Sequence, residues 1–268
     1  MDKGKQGVHD FWNHASCGEE LYLSEADKSG YTAQAQFRYA LEPEILGFAD
    51  FKGSQGLRVL EIGVGLGADH QQFAEAGADL YGIDLTERAI AHTRNRLLAF
   101  GLYSNLSVGD AENLAFPDES FDIVYSWGVL HHSPDTKKAI GEVWRVLKPG
   151  GVACIMIYHK WSMVGFMLWI RYALLSFQPW LSISQIYDRY LESPGTKAYS
   201  VVEARKLFSA FGKIEIFVQL GHGDLLESDA GQRHRGVLLS LARKFWPRWF
   251  IRKFLSNFGL GLLIKVVK

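Results

Sequence analysis

From residue 57 onward, short apolar runs alternate with stretches whose apolar positions recur every three or four residues. The runs at 57–62, 80–84, 105–108, 121–126, 152–158, 213–220 and 259–267 predict seven strands. Helices are predicted between them. One spans 68–76 and stops at Gly77. A second is N-capped by Thr86, runs to about residue 100 and ends at Gly101. A third opens with Ser133 as cap and Pro134 as first helical residue and ends near Lys148. Ser200 and Glu203 form a capping box for a fourth, which ends at Gly212. Strands alternating with helices predict βαβ units around a parallel sheet, an α/β architecture with helices on both faces. The run 121–126 is almost wholly apolar, as befits a strand covered on both sides.

Two stretches break this rhythm. Residues 159–199 are far longer than an ordinary strand-to-helix loop, and 221–258 form a second addition before the last strand. Upstream, 32–51 reads as helical, divided by Pro43. The expected organisation is an N-terminal helical cap over 1–56, then a domain over 57–268 carrying the two insertions.

Composition narrows the function classes. The 268 residues are 48% hydrophobic, ample for a buried core. Lysine plus arginine equals aspartate plus glutamate at 29 each, a balance unlike that of a nucleic-acid-binding domain. Cys17 and Cys154 do not suggest a disulfide framework, and residues 1–10 are polar rather than signal-like, so a cytoplasmic protein is expected. No run reaches the roughly 18 apolar residues expected of a membrane span.

The chemistry gathers at strand ends. The first strand runs into Glu61-Ile62-Gly63-Val64-Gly65-Leu66-Gly67, and a helix follows. Glycines at alternate positions allow a tight turn and close backbone approach to a ligand, with helix N–H groups pointing outward. Asp84 ends the second strand, where an acid can accept from both hydroxyls of a ribose. These features alone are equally those of a nicotinamide-dinucleotide site, because Gly63, Gly65 and Ala68 satisfy its glycine pattern.

The segments that follow separate the readings. Gly109-Asp110-Ala111-Glu112 comes after the third strand, where an aspartate can accept from an adenine amine. Residues 121–126 lead to Gly128-Val129-Leu130-His131-His132, and 142–151 read Glu-Val-Trp-Arg-Val-Leu-Lys-Pro-Gly-Gly. In this order and spacing, residues 57–158 closely resemble the class I S-adenosylmethionine-dependent methyltransferases, in particular the small-molecule branch that includes the ubiquinone and menaquinone methyltransferases. The resemblance implies a Rossmann-like seven-stranded sheet whose last strand is antiparallel, with 159–199 as a helical lid after the fifth strand. It implies S-adenosylmethionine as cofactor. Gly63, Gly65 and Gly67 would line its methionine part and Glu61 would order the loop or the ammonium. Asp84 would hold the ribose, Leu85 flank the adenine, and Asp110 and Ala111 meet the adenine edge. Ser126 and Trp127 would lie close by.

A sulfonium methyl is already an activated electrophile, so the protein must chiefly orient the acceptor and, for an oxygen or carbon acceptor, remove a proton. His131 and His132, at the rim beyond the fourth strand, are the candidate bases. Tyr158 and His159 are candidate substrate contacts. Glu192, Tyr199, His222 and Asp224 are weaker candidates in the insertions, and no metal is expected. Trp161, Met163, Phe166 and Trp169 give the first insertion an apolar character suited to a hydrophobic or lipid-like acceptor. In the C-terminal addition Lys244, Arg248 and Arg252 form one helical row and Trp246, Phe250 and Phe254 another. Together with Arg233 and Arg235 they suggest contact with an anionic membrane surface, although Pro247 interrupts the helix.

Overall fold

A computed structural model describes residues 3–227 and 243–268. Seven strands form one sheet in the order β3-β2-β1-β4-β5-β7-β6. They are β1 Arg58–Ile62, β2 Asp79–Asp84, β3 Asn105–Val108, β4 Phe121–Trp127, β5 Leu147–Tyr158, β6 Lys213–Gln219 and β7 Gly261–Val267. The first five pair in parallel, and β7 runs antiparallel to both β5 and β6. Strand order reverses between β1 and β4, and in open α/β sheets such a switch point opens a crevice beyond the strands' carboxyl ends.

Successive residues of the central strands enter different cores, the consequence of a two-residue repeat. Leu60, Val124 and Ala153 join one cluster with Ile140, Val143 and Phe208. Val59, Tyr125 and Cys154 join another with Ile45, Phe51 and Phe73. The sheet is therefore covered on both faces, which explains the unbroken apolar runs.

The N-terminal residues are helical: Lys3–His14, Lys28–Leu41 and Glu44–Ala49, with Pro43 separating the last two. Their anchor is Arg96, wholly buried in helix Glu87–Phe100. Its guanidinium donates to the Tyr31 and Leu66 carbonyls and to the side chains of Gln34 and Gln71. One side chain thus ties the N-terminal helices to the turn after β1. The insertion after β5 is helical too, with Met163–Trp169 and Ile183–Tyr190 around a small core of Leu168, Ile186, Tyr187 and Leu191.

Three local expectations are corrected. The run Pro149-Gly150-Gly151 is not a turn before β5 but lies inside it. The strand begins at Leu147, pairs with Phe121, and shifts register before Val152. The cap of helix Thr136–Val146 is Asp135, which accepts from Lys138 N at 2.9 Å, because the Ser133 hydroxyl is committed to Glu112. In the C-terminal addition the rows do not share one helix: residues 243–245 are helical, Trp246 and Pro247 are not, and a separate helix spans Arg248–Phe254. Arg233 and Arg235 lie outside the described residues.

Candidate active site

The crevice at the switch point is a cavity bounded by the β1 turn, the ends of β2, β4 and β5, and the N-terminal helices. Gly63, Gly65 and Gly67 line it, all with positive φ. At Gly63 a Cβ would stand 2.2 Å from Val129, and at Gly67 it would stand 2.9 Å from the Thr93 hydroxyl. At Gly65 it would meet nothing within 4 Å, so this peptide faces open space. Only glycine fits this turn, and the turn leaves its backbone open to a ligand.

Asp84 braces the turn. Its Oδ2 accepts from Gly65 N at 3.2 Å, and its Oδ1 accepts from Thr86 N and the Thr86 hydroxyl at 3.0 and 2.9 Å. Burial raises its pKa and those hydrogen bonds oppose the rise. Leu85, Asp110 and Ala111 line the same end of the cavity. Asp110 is paired with Lys5, whose Nζ lies 2.7 Å from both Asp110 Oδ2 and Glu112 Oε2.

Glu61 lines the cavity and is nearly fully buried. Its Oε2 lies 2.8 Å from His70 Nδ1, and His70 Nε2 lies 2.7 Å from the Ser104 hydroxyl. Ser104 donates its proton to the Leu80 carbonyl, so His70 Nε2–H must be the donor to Ser104. A neutral His70 then offers Nδ1 as an acceptor, and Glu61 must be protonated to donate to it. Burial pushes in that direction on both sides: His70 falls to about 3 and Glu61 rises well above the carboxylate range.

The opposite end is aromatic. Trp12, His132, Tyr158 and Glu192 line it. His132 Nδ1 lies 3.0 Å from the Thr196 hydroxyl, which donates its own proton to Ser193 O at 2.6 Å, and 2.9 Å from the Ser193 hydroxyl. Its Nε2 faces Glu192 Oε2 at 3.3 Å and makes no hydrogen bond. Tyr158 donates to the same Glu192 oxygen at 2.8 Å. Burial, and then the Glu192 charge, holds the Tyr158 phenol well above its ordinary range, so it stays a donor.

The two histidines part company. His131 is wholly buried, does not line the cavity, and stacks on Tyr158 and His132 with ring centroids 3.9 and 4.2 Å away. Burial first, and then the neighbouring His132 and Lys197, push its pKa well below the usual value, so it is a neutral packing element. His131, His132 and Glu192 bring donor atoms within 4.8 Å of one another, with the two rings tilted at 43°.

Two further expectations are corrected. Ser126 is buried behind the cavity and donates to the Ile62 carbonyl at 3.0 Å. His159 is buried, its Nδ1 3.1 Å from the Gly259 carbonyl, and it does not reach the cavity. Tyr199 pairs backbone to backbone with Tyr158 and Lys160, and Asp224 is a buried acceptor for loop N–H groups. His222 begins the short helix that carries Asp224.

Sequence reading missed Arg38 and Glu42, which join Trp127 to the N-terminal cover. Arg38 grips the buried Asp69 carboxylate through two nitrogens, at 3.1 and 2.6 Å, and reaches Glu42. Glu42 accepts from Trp127 Nε1 at 3.1 Å. Their i,i+4 spacing was the one visible signal. The insertion touches the cavity only through Glu192 among the described residues, so most of the cover is N-terminal.

Residues 60–155 match the family model described as a methyltransferase domain. A phosphoethanolamine N-methyltransferase 2 of Caenorhabditis elegans is 39% identical over 115 residues, which is 42% of this chain and 26% of that protein. A sterol 24-C-methyltransferase of Gibberella zeae is 34% identical over 111 residues, 40% of this chain and 28% of that protein. The chain thus spans about a quarter of the length of these curated relatives. Among solved structures, phosphoethanolamine N-methyltransferase 2 of Haemonchus contortus superposes with a TM-score of 0.60 at 21% identity, covering 97% of this chain and 59% of that one. The [4+2]-cyclase SpnF superposes at 0.53 with 16% identity, over 88% and 81%. These two likenesses establish the fold, and the cyclase shows how widely its chemistry ranges. Residues 60–155 are thus a methyltransferase domain by that match, and the motifs that line the cavity resemble those of the class I S-adenosylmethionine-dependent methyltransferases.

Proposed function

We propose that this protein transfers a methyl group from S-adenosylmethionine to a small apolar or lipid-like acceptor. The observation that carries the reading is the two-ended cavity: a glycine turn and buried acids at one end, and His132, Tyr158, Glu192 and Trp12 at the other. The residues fit the cofactor. Asp84 would accept from the ribose hydroxyls, Leu85, Asp110 and Ala111 would frame the adenine, and Glu61 with the glycine turn would hold the amino-acid tail. When bound, the cofactor supplies an electrophilic methyl group that needs no further activation.

The chain's own part is orientation and proton removal. His132 lines the cavity, with Nδ1 held by the Thr196 and Ser193 hydroxyls and Nε2 unbonded. It is the proposed base, taking a proton from the acceptor. Tyr158 and Glu192 would position that acceptor, and the surrounding apolar wall would exclude water. The relatives' names include sterol and phosphoethanolamine methyltransferases, which supports an acceptor of lipid character. Both cysteines are free thiols, in keeping with a cytoplasmic setting. The basic, aromatic C-terminal region adds a contact with a membrane surface, although no described helix is long and apolar enough to cross one.

The test is turnover of S-adenosylmethionine to S-adenosylhomocysteine with fractionated lipid and small-molecule extracts, using wild type and His132→Gln. A reaction in the lipid fraction whose kcat falls by roughly 10²-fold or more in the variant is expected. Cofactor binding without turnover in any fraction would instead mark a regulatory cofactor-binding protein. Unchanged kcat in the variant would remove His132 from the chemistry.

A further inference from the structure

A second recess lies outside the cofactor cavity. It is a groove of about 720 Å³, lined by Trp161, Phe166, Trp169 and Leu181 of the first insertion and by Leu255 and Phe258 of the C-terminal addition. The two additions form one body. Asp224 accepts from Val164 N at 3.2 Å and from Leu260 N at 2.8 Å, and its own carbonyl accepts from Trp246 Nε1 at 2.9 Å. The groove begins at Lys160, two residues beyond Tyr158 of the cofactor cavity.

Three of its lining aromatics also face solvent: Trp161, Phe166 and Phe258. The segments that line it carry further exposed aromatics, Phe177 at 87%, Trp180 at 75% and Trp249 at 69%. Isolated exposed apolar residues need no explanation, but exposed aromatics lining an apolar groove do. The charge around it is predominantly positive, although Lys160 pairs with Glu203 and Arg252 with Glu227. Residues 160–181 and 243–258 contain two and five lysines or arginines respectively, and no aspartate or glutamate. Lys244, Arg252 and Lys253 are exposed. Lys253 Nζ stands 5.0 Å over the Trp249 ring, and the Arg171 guanidinium 5.2 Å over Tyr172.

We infer that these two additions together form a docking face for an anionic phospholipid bilayer, with the groove receiving an acyl chain. Tryptophans beside cations suit the boundary between headgroups and hydrocarbon, and a surplus of cations seeks anionic headgroups. A second copy of the chain fits this face poorly, because it would set the same cations against one another. The inference rests on the lipid-like acceptor reading for its purpose, since docking would set the cavity mouth near a membrane-borne acceptor. It does not rest on that reading for its geometry.

The test is co-sedimentation of the full chain with vesicles of phosphatidylcholine alone and of phosphatidylcholine mixed with phosphatidylglycerol. Binding to the anionic vesicles only is expected, weakening as salt rises. Lys244→Gln with Lys253→Gln should reduce binding about fivefold per charge removed. Phe177→Ser with Trp180→Ser and Trp249→Ser should reduce it at least about tenfold. All five positions are exposed, and cofactor affinity measured on the same preparations confirms that the variants fold. No vesicle binding by a wild type that binds cofactor would overturn the docking face and leave the methyltransferase reading standing. Vesicle binding without cofactor binding would do the reverse. Variants that bind vesicles like wild type, or an aromatic variant that only abolishes self-association in sedimentation velocity, would also overturn it.

Discussion

Helix Lys3–His14 and the insertion after β5 flank the same cavity and are held by different forces. Helix Lys3–His14 buries only Val8 and is attached through charge: Lys5 to Asp110 and Glu112, and His9 to Glu87. Just beyond it, Glu19 pairs with Arg88 and His92. The insertion is attached through packing, with its own apolar core and the buried Tyr187 hydroxyl joined to Ser162 and the His159 carbonyl. Partly exposed ion pairs are individually weak and screened by salt, whereas a packed core separates only as a unit. The cover that meets the nucleoside end is therefore the one able to loosen locally, and the element that supplies Glu192 is the rigid one.

Four measurements bear on that contrast. The largest effect belongs to the floor both covers share. Asp84→Ala removes the acceptor for the ribose and the brace on Gly65, so cofactor affinity should fall about a hundredfold or more in calorimetry. Unchanged affinity would contradict the ribose assignment.

Next comes the packed cover. A Cβ at Gly165 would lie 2.2 Å from the Tyr187 hydroxyl. Gly165→Ala should destabilise the insertion by about 2 kcal/mol in denaturant melts, while cofactor affinity stays near wild type. A large loss of cofactor affinity would mean that the insertion supports the nucleoside end after all.

The third measurement probes the floor's protons. Glu61 is neutral in the free protein because burial raises its pKa. A cationic ammonium favours its ionised form, so cofactor binding should release a proton, and affinity should rise with pH by up to about tenfold per unit. Calorimetry in buffers of different ionisation enthalpy reads this directly. A binding enthalpy independent of buffer would rule it out.

The smallest effect is at the ionic cover. The Arg88 hydrogen bond holds the Glu19 pKa down at about 2, from an ordinary value of 4.5. A depressed acid stabilises the fold above its unfolded pKa, and that contribution fades as pH falls from 4.5 through 2. Protease cutting near residue 19 should increase across that window, and Arg88→Ala should reproduce it at neutral pH with a stability loss under about 1 kcal/mol. Cutting that does not change with pH would place the hold elsewhere.

The sheet was legible because its strands are covered on both faces and read as plain apolar runs. β5 began earlier than expected because Gly150, at φ 78°, sits in an irregularity of the strand rather than in a turn. Helix Lys3–His14 went unread because its apolar stripe is short, Val8, Phe11 and Trp12 within a largely polar stretch. The same division runs through the site. The glycine turn, Asp84 and Asp110 announce themselves locally, since their roles follow from strand-end positions. Arg38, Glu42 and Trp12 reach the cavity from the distant N-terminal cover, and no local pattern records that approach. Ser126 and His159 were misplaced because position after a strand does not say which way a side chain turns: one is committed to Ile62 and the other to Gly259.

Calorimetric titration of the wild-type chain with S-adenosylmethionine, set beside the same titration with a nicotinamide dinucleotide, tests the central claim most directly. One-to-one binding of the sulfonium and no heat from the dinucleotide is the predicted result. Binding of the dinucleotide, or of neither, would contradict the account.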